Sequence, residues 1–214
     1  MITRLAMVLG AAALAVWAQS DTSEWEIGGN IGYGAYRNGT IFAPGGTATA
    51  GIRNRFTAGV VICDDLYEHV SGELRYQYQD GHPFLSSGGM AKDIQGQSHT
   101  FTYELLFHIK PRDARMRPFV AVGAGIKNYN IVGPPPDPQP FPAIGTLNNS
   151  DEWKLTAALG GGVKYRLYEH LLVRVDFRDY ITQFPKRQLA PAPTGTARGL
   201  FQQFTTMLGV SYVF

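Results

Sequence analysis

Past its N-terminal segment the chain alternates between apolar and polar residues with a period of two. In TFTYELLFHIK, Phe101, Tyr103, Leu105, Phe107 and Ile109 share one face, and Thr100, Thr102, Glu104, Leu106 and His108 the other. Leu171, Val173, Val175 and Phe177 likewise oppose Leu172, Arg174, Asp176 and Arg178, and Val70, Leu74, Tyr76 and Tyr78 oppose Ser71, Glu73, Arg75 and Gln77. Successive side chains on a strand point to opposite faces, so this period predicts strands with two unlike sides. Eight are predicted: Trp25–Tyr36, Phe56–Asp64, Val70–Gln79, Gln97–Lys110, Pro118–Tyr129, Glu152–Arg166, Leu171–Tyr180 and Phe201–Phe214. The start of the second is the least marked, because TATAGIRNRF either extends it or belongs to a loop. All 13 prolines fall outside strand interiors, with Pro118 at the first residue of its strand, where proline is tolerated.

The connections alternate in length. Leu66–His69, Pro111–Arg117 and Leu167–His170 are short, whereas Arg37–Arg55, Asp80–Gly96, Asn130–Asp151 and Ile181–Leu200 are long and rich in Gly, Pro, Ser or Asn. Short turns on one side and long loops on the other are the layout of an outer-membrane barrel. The expected fold is therefore all-β, an eight-stranded antiparallel up-and-down transmembrane β-barrel with both termini on the short-turn side. The tetrapeptide LYEH occurs at Leu66–His69 and again at Leu167–His170, in turns four strands apart. Convergent turn chemistry and an ancestral four-strand duplication both account for it.

Two observations orient the faces. Aromatic residues cluster near strand ends, with Trp25 and Tyr165 toward one rim and Tyr76, Tyr78, Phe101, Tyr103 and Trp153 toward the other, as in the girdles of membrane barrels. The polar face carries Glu73, Arg75, Glu104, Lys164, Arg174, Asp176 and Arg178 at mid-strand; on the apolar face only Asp179 is charged, near a strand end. A Lys or Arg facing lipid at the midplane costs about 2–4 kcal/mol, so the polar face points inward. Eight strands leave an interior that side chains just fill, and these seven charges are expected to pair there. The one foreseen gap lies beside Ala158, Gly160 and Gly162.

The chain ends QQFTTMLGVSYVF, with Leu208, Val210, Tyr212 and Phe214 on one face. This ending, with the Gly-rich stretches GGNIGYG, VGAGIK and GGGVKYR, resembles the eight-stranded outer-membrane β-barrel family typified by OmpA, OmpX and OmpW. The resemblance implies that those four residues form the signal read by the barrel-assembly machinery. The reading that follows is a structural or interaction protein with a side-chain-filled lumen displaying four extracellular loops, alternatively a narrow channel for small solutes or hydrophobic compounds as the resemblance to OmpW allows, and, less favoured, a lipid-modifying outer-membrane enzyme. Because the chain stops at Phe214, no peptidoglycan-binding domain is expected after the barrel.

Residues 1–18 read as a cleaved signal peptide, with Arg4 before an uncharged run from Leu5 to Ala18 and cleavage as late as Ser20. Fourteen residues fall short of the ~20 a spanning helix needs. Residues 19–214 are the barrel domain, integral to the bacterial outer membrane. Composition adds exclusions: a net charge of +2 gives no reason to expect nucleic acid, and the lone Cys63 rules out an intrachain disulfide framework and multi-cysteine metal sites. The expected partners are outer-membrane lipid, the assembly machinery, and lipopolysaccharide or extracellular ligands at the loops, where Arg37, Arg53 and Arg55 could meet phosphates. No cofactor is expected. His69, His82, His99, His108 and His170 lack metal-ligand spacing. Ser98, Glu104 and His108 share one strand face, but Ser98 and Glu104 are ~20 Å apart at ~3.4 Å per residue, and the His-x-Ser-Asn pattern of the lipid A deacylases is absent, so no enzyme is expected. The run GPPPDPQPFP, Gly133–Pro142, reads as a stiff loop.

Overall fold

The computed structural model describes residues 24–197 and 199–214; the segment read as a signal peptide lies outside them. Eight long strands form a closed barrel: β1 Trp25–Tyr36, β2 Arg55–Tyr67, β3 Val70–Asp80, β4 Gly96–His108, β5 Met116–Ile131, β6 Asp151–Tyr168, β7 Leu171–Gln183 and β8 Leu200–Val213. Each pairs antiparallel with its sequence neighbour, and β1 closes on β8 with Ile31 opposite Leu208. The strand ends fall within three residues of the positions read from the alternation. Pro118 is a correction: it is the third residue of β5, not the first, just where β4 stops pairing. Its carbonyl still accepts a hydrogen bond from Ile109 N at 2.9 Å, the use a proline can make of a ladder.

The outer wall is apolar on every strand, with Ile31, Val60, Leu74, Phe101, Val122, Leu159, Val175 and Val210 all exposed. The inner wall is polar and buried. A continuous apolar band of this extent far exceeds the few hundred Å² that a water-soluble surface carries. Asp179 stands on this outer wall. It is not at the end of β7, which continues to Gln183, and its carboxylate accepts from Gln202 Nε2 at 2.9 Å.

The four long connections do not stand out as separate loops. Segments Thr196–Ala197, Gly39–Ala43, Gly46–Ile52, Pro83–Ser87 and Met90–Asp93 pair in that spatial order into a five-stranded sheet, and Gly145–Leu147 pairs with Leu189–Pro191. TATAGIRNRF thus divides: Gly46–Ile52 joins this sheet and Arg55 begins β2. The sheets enclose an apolar core in which Ile41, Leu85, Leu147 and Leu189 are fully buried, and the barrel contributes Tyr36, Tyr129, Ile131 and Phe201 from its rim. Phe201 stacks on Tyr36 at 5.3 Å and meets Phe184 edge-on at 5.7 Å. Each buried Leu or Ile contributes about 1.5–3 kcal/mol, so the connections form one lid continuous with the barrel. Within the Pro-rich run, the Gln139 amide bonds both Leu147 N and Leu147 O, holding that run to the lid.

At the opposite end the LYEH turns have matching geometry. His69 Nδ1 donates to His108 O and His170 Nδ1 to Val213 O, each at 3.0 Å. The backbone replies in both, His108 N to His69 O at 2.8 Å and Val213 N to His170 O at 2.9 Å. The preceding strand is anchored alike, Asp65 N to Glu24 O and Arg166 N to Arg115 O.

Replacing both Leu85 and Leu189 by Ala removes two fully buried anchors, each costing about 2–5 kcal/mol. The lid of this variant is expected to become cleavable by trypsin at Arg53 and Arg187 while the barrel keeps its heat-modifiable gel mobility. Unchanged resistance at both arginines would show that the lid does not depend on this core.

Candidate functional site

The lumen is the candidate site, and the register of the wall dictates its chemistry. Glu73 on β3 lies directly opposite Glu104 on β4, and Lys164 on β6 directly opposite Arg174 on β7. Like charges facing each other across neighbouring strands repel, so neither pair is stable within its own wall. Because the two pairs stand on different sides of a narrow barrel, charges reached across the lumen neutralise them, together with Arg75 beside Glu73 and Asp176 beside Arg174 on the same strands.

All seven residues singled out by sequence meet there, each at most 2% exposed. Glu73 receives Arg75 Nη2 at 2.6 Å on Oε1 and Arg174 Nη1 at 2.7 Å on Oε2. Asp176 Oδ2 takes Arg75 Nη2 at 2.7 Å and Arg174 Nε at 3.0 Å. Glu104 takes Arg178 Nε at 2.7 Å and the Thr102 hydroxyl at 2.8 Å. An eighth member, Glu26 on β1, was not among the residues chosen from sequence. It ion-pairs with Lys164 and accepts Arg174 Nη1 at 3.3 Å, balancing four acids against four bases. The signal was present, since Glu26 alternates with the outward-facing Trp25 and Ile27.

The gap foreseen beside Ala158, Gly160 and Gly162 is filled. A Cβ at Gly160 would lie 2.7 Å from Arg178 Cδ, and one at Gly162 would lie 2.9 Å from the Phe119 ring. These glycines leave room that the long Arg178 stem and Phe119 occupy, and Phe119 in turn lies 5.4 Å below the Arg178 guanidinium. Toward the lid, neutral amides and hydroxyls take over, with Gln77 Nε2 on Thr57 Oγ1 at 2.7 Å and Gln203 bonded to Gln79.

Lys127 on β5 is a second residue missed, although its place in the alternation marked it as inward. Fully buried, it donates to Tyr36 OH at 3.2 Å and faces the rings of Tyr36 at 4.9 Å and Tyr129 at 5.1 Å. It has no ion-pair partner among the described residues. At the short-turn end, Asp65 holds Arg117 at 2.8 Å and Arg112 at 3.4 Å. The space between Glu26, Asp65 and Arg117 there is about 10 Å³, room for one water at most.

The remaining candidates separate. Ser98 bonds Tyr36 OH near the lid, and His108 lies at the other end of β4, 2.7 Å from Ser71 Oγ. Ser71 donates its own hydrogen to Asp65, so His108 Nε2 must carry a hydrogen and donate. A catalytic base would have to accept. Cys63 is buried, with Lys164 Nζ at 3.3 Å from Sγ. His99 meets Tyr76 OH at 2.8 Å, and His82 lies 3.3 Å from Arg55. Among the described residues no group of His, Cys, Asp and Glu could hold a metal. In the lid region Arg53 pairs with Asp93 at 3.4 Å, Arg55 with Asp80 at 3.2 Å, and Arg37 bonds Gln202. Leu208, Val210, Tyr212 and Phe214 all face outward, about half or more exposed.

Closed on itself, ionic within and apolar without, the fold defines an integral membrane β-barrel, since the strands pair all the way round and leave no sheet edge to meet lipid. The chain belongs to the outer membrane protein beta-barrel domain family, whose model matches residues 5–214. It is similar in fold to Neisserial surface protein A, at a TM-score of 0.53 and 8% identity over 91% of this chain and 100% of that one. A major outer membrane protein from Thermus thermophilus gives 0.54 and 11% over 90% and 100%, and the outer membrane protein AlkL 0.53 and 18% over 92% of each. No curated protein matches the sequence. The protein is a small outer-membrane β-barrel protein.

Two substitutions in the lumen are expected to act in opposite directions. Arg174→Ala leaves Glu26, Glu73 and Asp176 without their shared cation, at a cost of about 3–5 kcal/mol. Lys127→Met removes a buried cation that has no carboxylate and keeps its volume, so it should raise the unfolding midpoint. Urea titration in lipid vesicles tests both, and loss of stability by Lys127→Met would contradict this account of the lumen.

Proposed function

We propose that the protein is a closed, non-conducting barrel that reinforces the outer membrane and holds a folded lid outside the cell as an interaction platform. The observation that carries this reading is the filled lumen, with its eight-membered ionic cluster in the middle and the apolar core of the lid above it. In this reading residues 1–18 direct export and are removed, the short turns lie in the periplasm, and the assembly machinery reads Leu208, Val210, Tyr212 and Phe214. No catalysis is proposed. The hydrogen-bond polarity of Ser71 and His108 opposes a nucleophile–base pair, and the eight charged side chains are engaged with one another.

Planar-bilayer recording of the refolded mature barrel tests the proposal. Silence from protein shown to be folded by its gel mobility is expected for the wild type, whereas Arg174→Ala should introduce discrete openings by leaving the cluster incomplete. Stable openings of the wild type, with ion selectivity that changes in Arg174→Ala, would replace the closed-barrel reading with that of a narrow channel.

A further inference from the structure

Asp179 is an acid on the lipid-facing wall and has no ion-pair partner among the described residues. It points outward from β7 between its register partners, Leu159 of β6 and Phe204 of β8. The apolar wall runs on past it toward the lid, where Leu155 on β6 is 82% exposed and Leu200 on β8 68%. The carboxyl therefore lies at the depth of lipid chains, below the rim.

Only half of its hydrogen-bonding capacity is used. Gln202 Nε2 donates to Oδ2 at 2.9 Å, and Oδ1 has no partner. Gln202 is left over in the complementary sense. Its Oε1 accepts Arg37 Nη1 at 3.2 Å, and of its two amide hydrogens only the one given to Asp179 has a partner among the described residues. Each chain thus presents to lipid one spare acceptor and one spare donor, on neighbouring strands. Hydrocarbon can meet neither, and polar groups so placed hold membrane proteins to one another.

A second copy of the same wall meets both. A two-fold axis along the membrane normal, passing between β7 and β8, sets β7 of each copy against β8 of the other. Contacts across such an axis are reciprocal, so each Asp179 faces the other copy's Gln202. Phe177 and Phe204 span the same two strands nearer the periplasm, stacked at 6.2 Å, and meet their counterparts across the axis. Two convex barrels touch along a narrow line, and here the polar pair lies on that line.

We propose that the β7–β8 wall is a homodimer interface within the membrane, centred on reciprocal hydrogen bonds from Gln202 Nε2 of one copy to the Asp179 carboxylate of the other. That carboxylate is half-buried, and a turn about its Cβ–Cγ bond presents Oδ1 to the partner. No luminal residue takes part, so the interface is independent of whether the lumen conducts.

The test is sedimentation equilibrium of the mature barrel in density-matched detergent micelles. Wild type should show a monomer–dimer equilibrium. Asp179→Leu and Gln202→Leu should each lower the association constant roughly tenfold, the size of two hydrogen bonds within a membrane. Both variants should keep the heat-modifiable gel mobility, because each replaces a polar side chain facing lipid with an apolar one. In phosphatidylcholine vesicles a short bismaleimide should join two copies of Thr206→Cys, which is exposed on β8, but not of Leu74→Cys on the opposite wall. Wild type, whose Cys63 is buried in the lumen, should give no cross-link. Wild type that stays monomeric would overturn the interface and leave Asp179 to be met by lipid. Equal association of Asp179→Leu and wild type would also overturn it, as would equal cross-linking at Thr206→Cys and Leu74→Cys.

Discussion

Glu73 and Glu104 face each other on adjacent strands, as do Lys164 and Arg174, and besides the same-strand contacts of Glu73 with Arg75 and Arg174 with Asp176 they are neutralised by charges reached across the lumen. Strand register places them so, and strand register is fixed everywhere else by the requirement that apolar side chains face lipid, since a slip of one residue would turn every charge outward. The ionic cluster and the apolar band are thus two readings of one alignment. Glu26 completes the cluster from β1, the strand at the closing seam, so charge balance in the lumen and closure of the barrel require the same geometry. Glycine enters for a matching reason: Gly209 lies opposite Arg174, where a Cβ would stand 2.9 Å from that arginine's Cγ.

The molecule is stratified along its axis. Ion pairs fill the middle, neutral amides and hydroxyls lie toward the lid, then Lys127 within its tyrosines, then a core of Leu and Ile. Stability in the ionic layer rests on completeness, because a buried charge left alone is costly whereas the intact set is near balance. Stability in the lid rests on area and fit, which degrade gradually. Lys127 fits neither layer, and its rings supply cation–π contacts where no carboxylate stands.

The barrel was legible in the sequence because water on one side and lipid on the other impose a strict period of two over ten or more residues. Where that constraint acts, in Phe101–Ile109 or Leu171–Phe177, strand limits and facing follow from counting. Glu26 and Lys127 were overlooked although the same count places them inward; what the count does not supply is how far a side chain reaches across the lumen, and so which charges meet. The lid was illegible for a different reason. Ile41, Ala48, Leu85 and Leu189 each lie in segments of three to seven residues that offer at most three buried apolar positions, too few to carry a period. Only their assembly over the rim makes a core.

The paired LYEH turns bear on how the ring is cut. Phe214 N bonds Trp25 O where β8 meets β1, and Ile109 N bonds Pro118 O where β4 meets β5, both at 2.9 Å. The seam between the chain's own ends therefore has a counterpart halfway round, across the exposed turn between Ile109 and Met116. A circular permutant that opens this turn and splices Phe214 to Trp25 would place its ends at an equivalent ladder. In such a chain the contribution of Phe214 as a terminus could be measured apart from its contribution as the last rung of the wall.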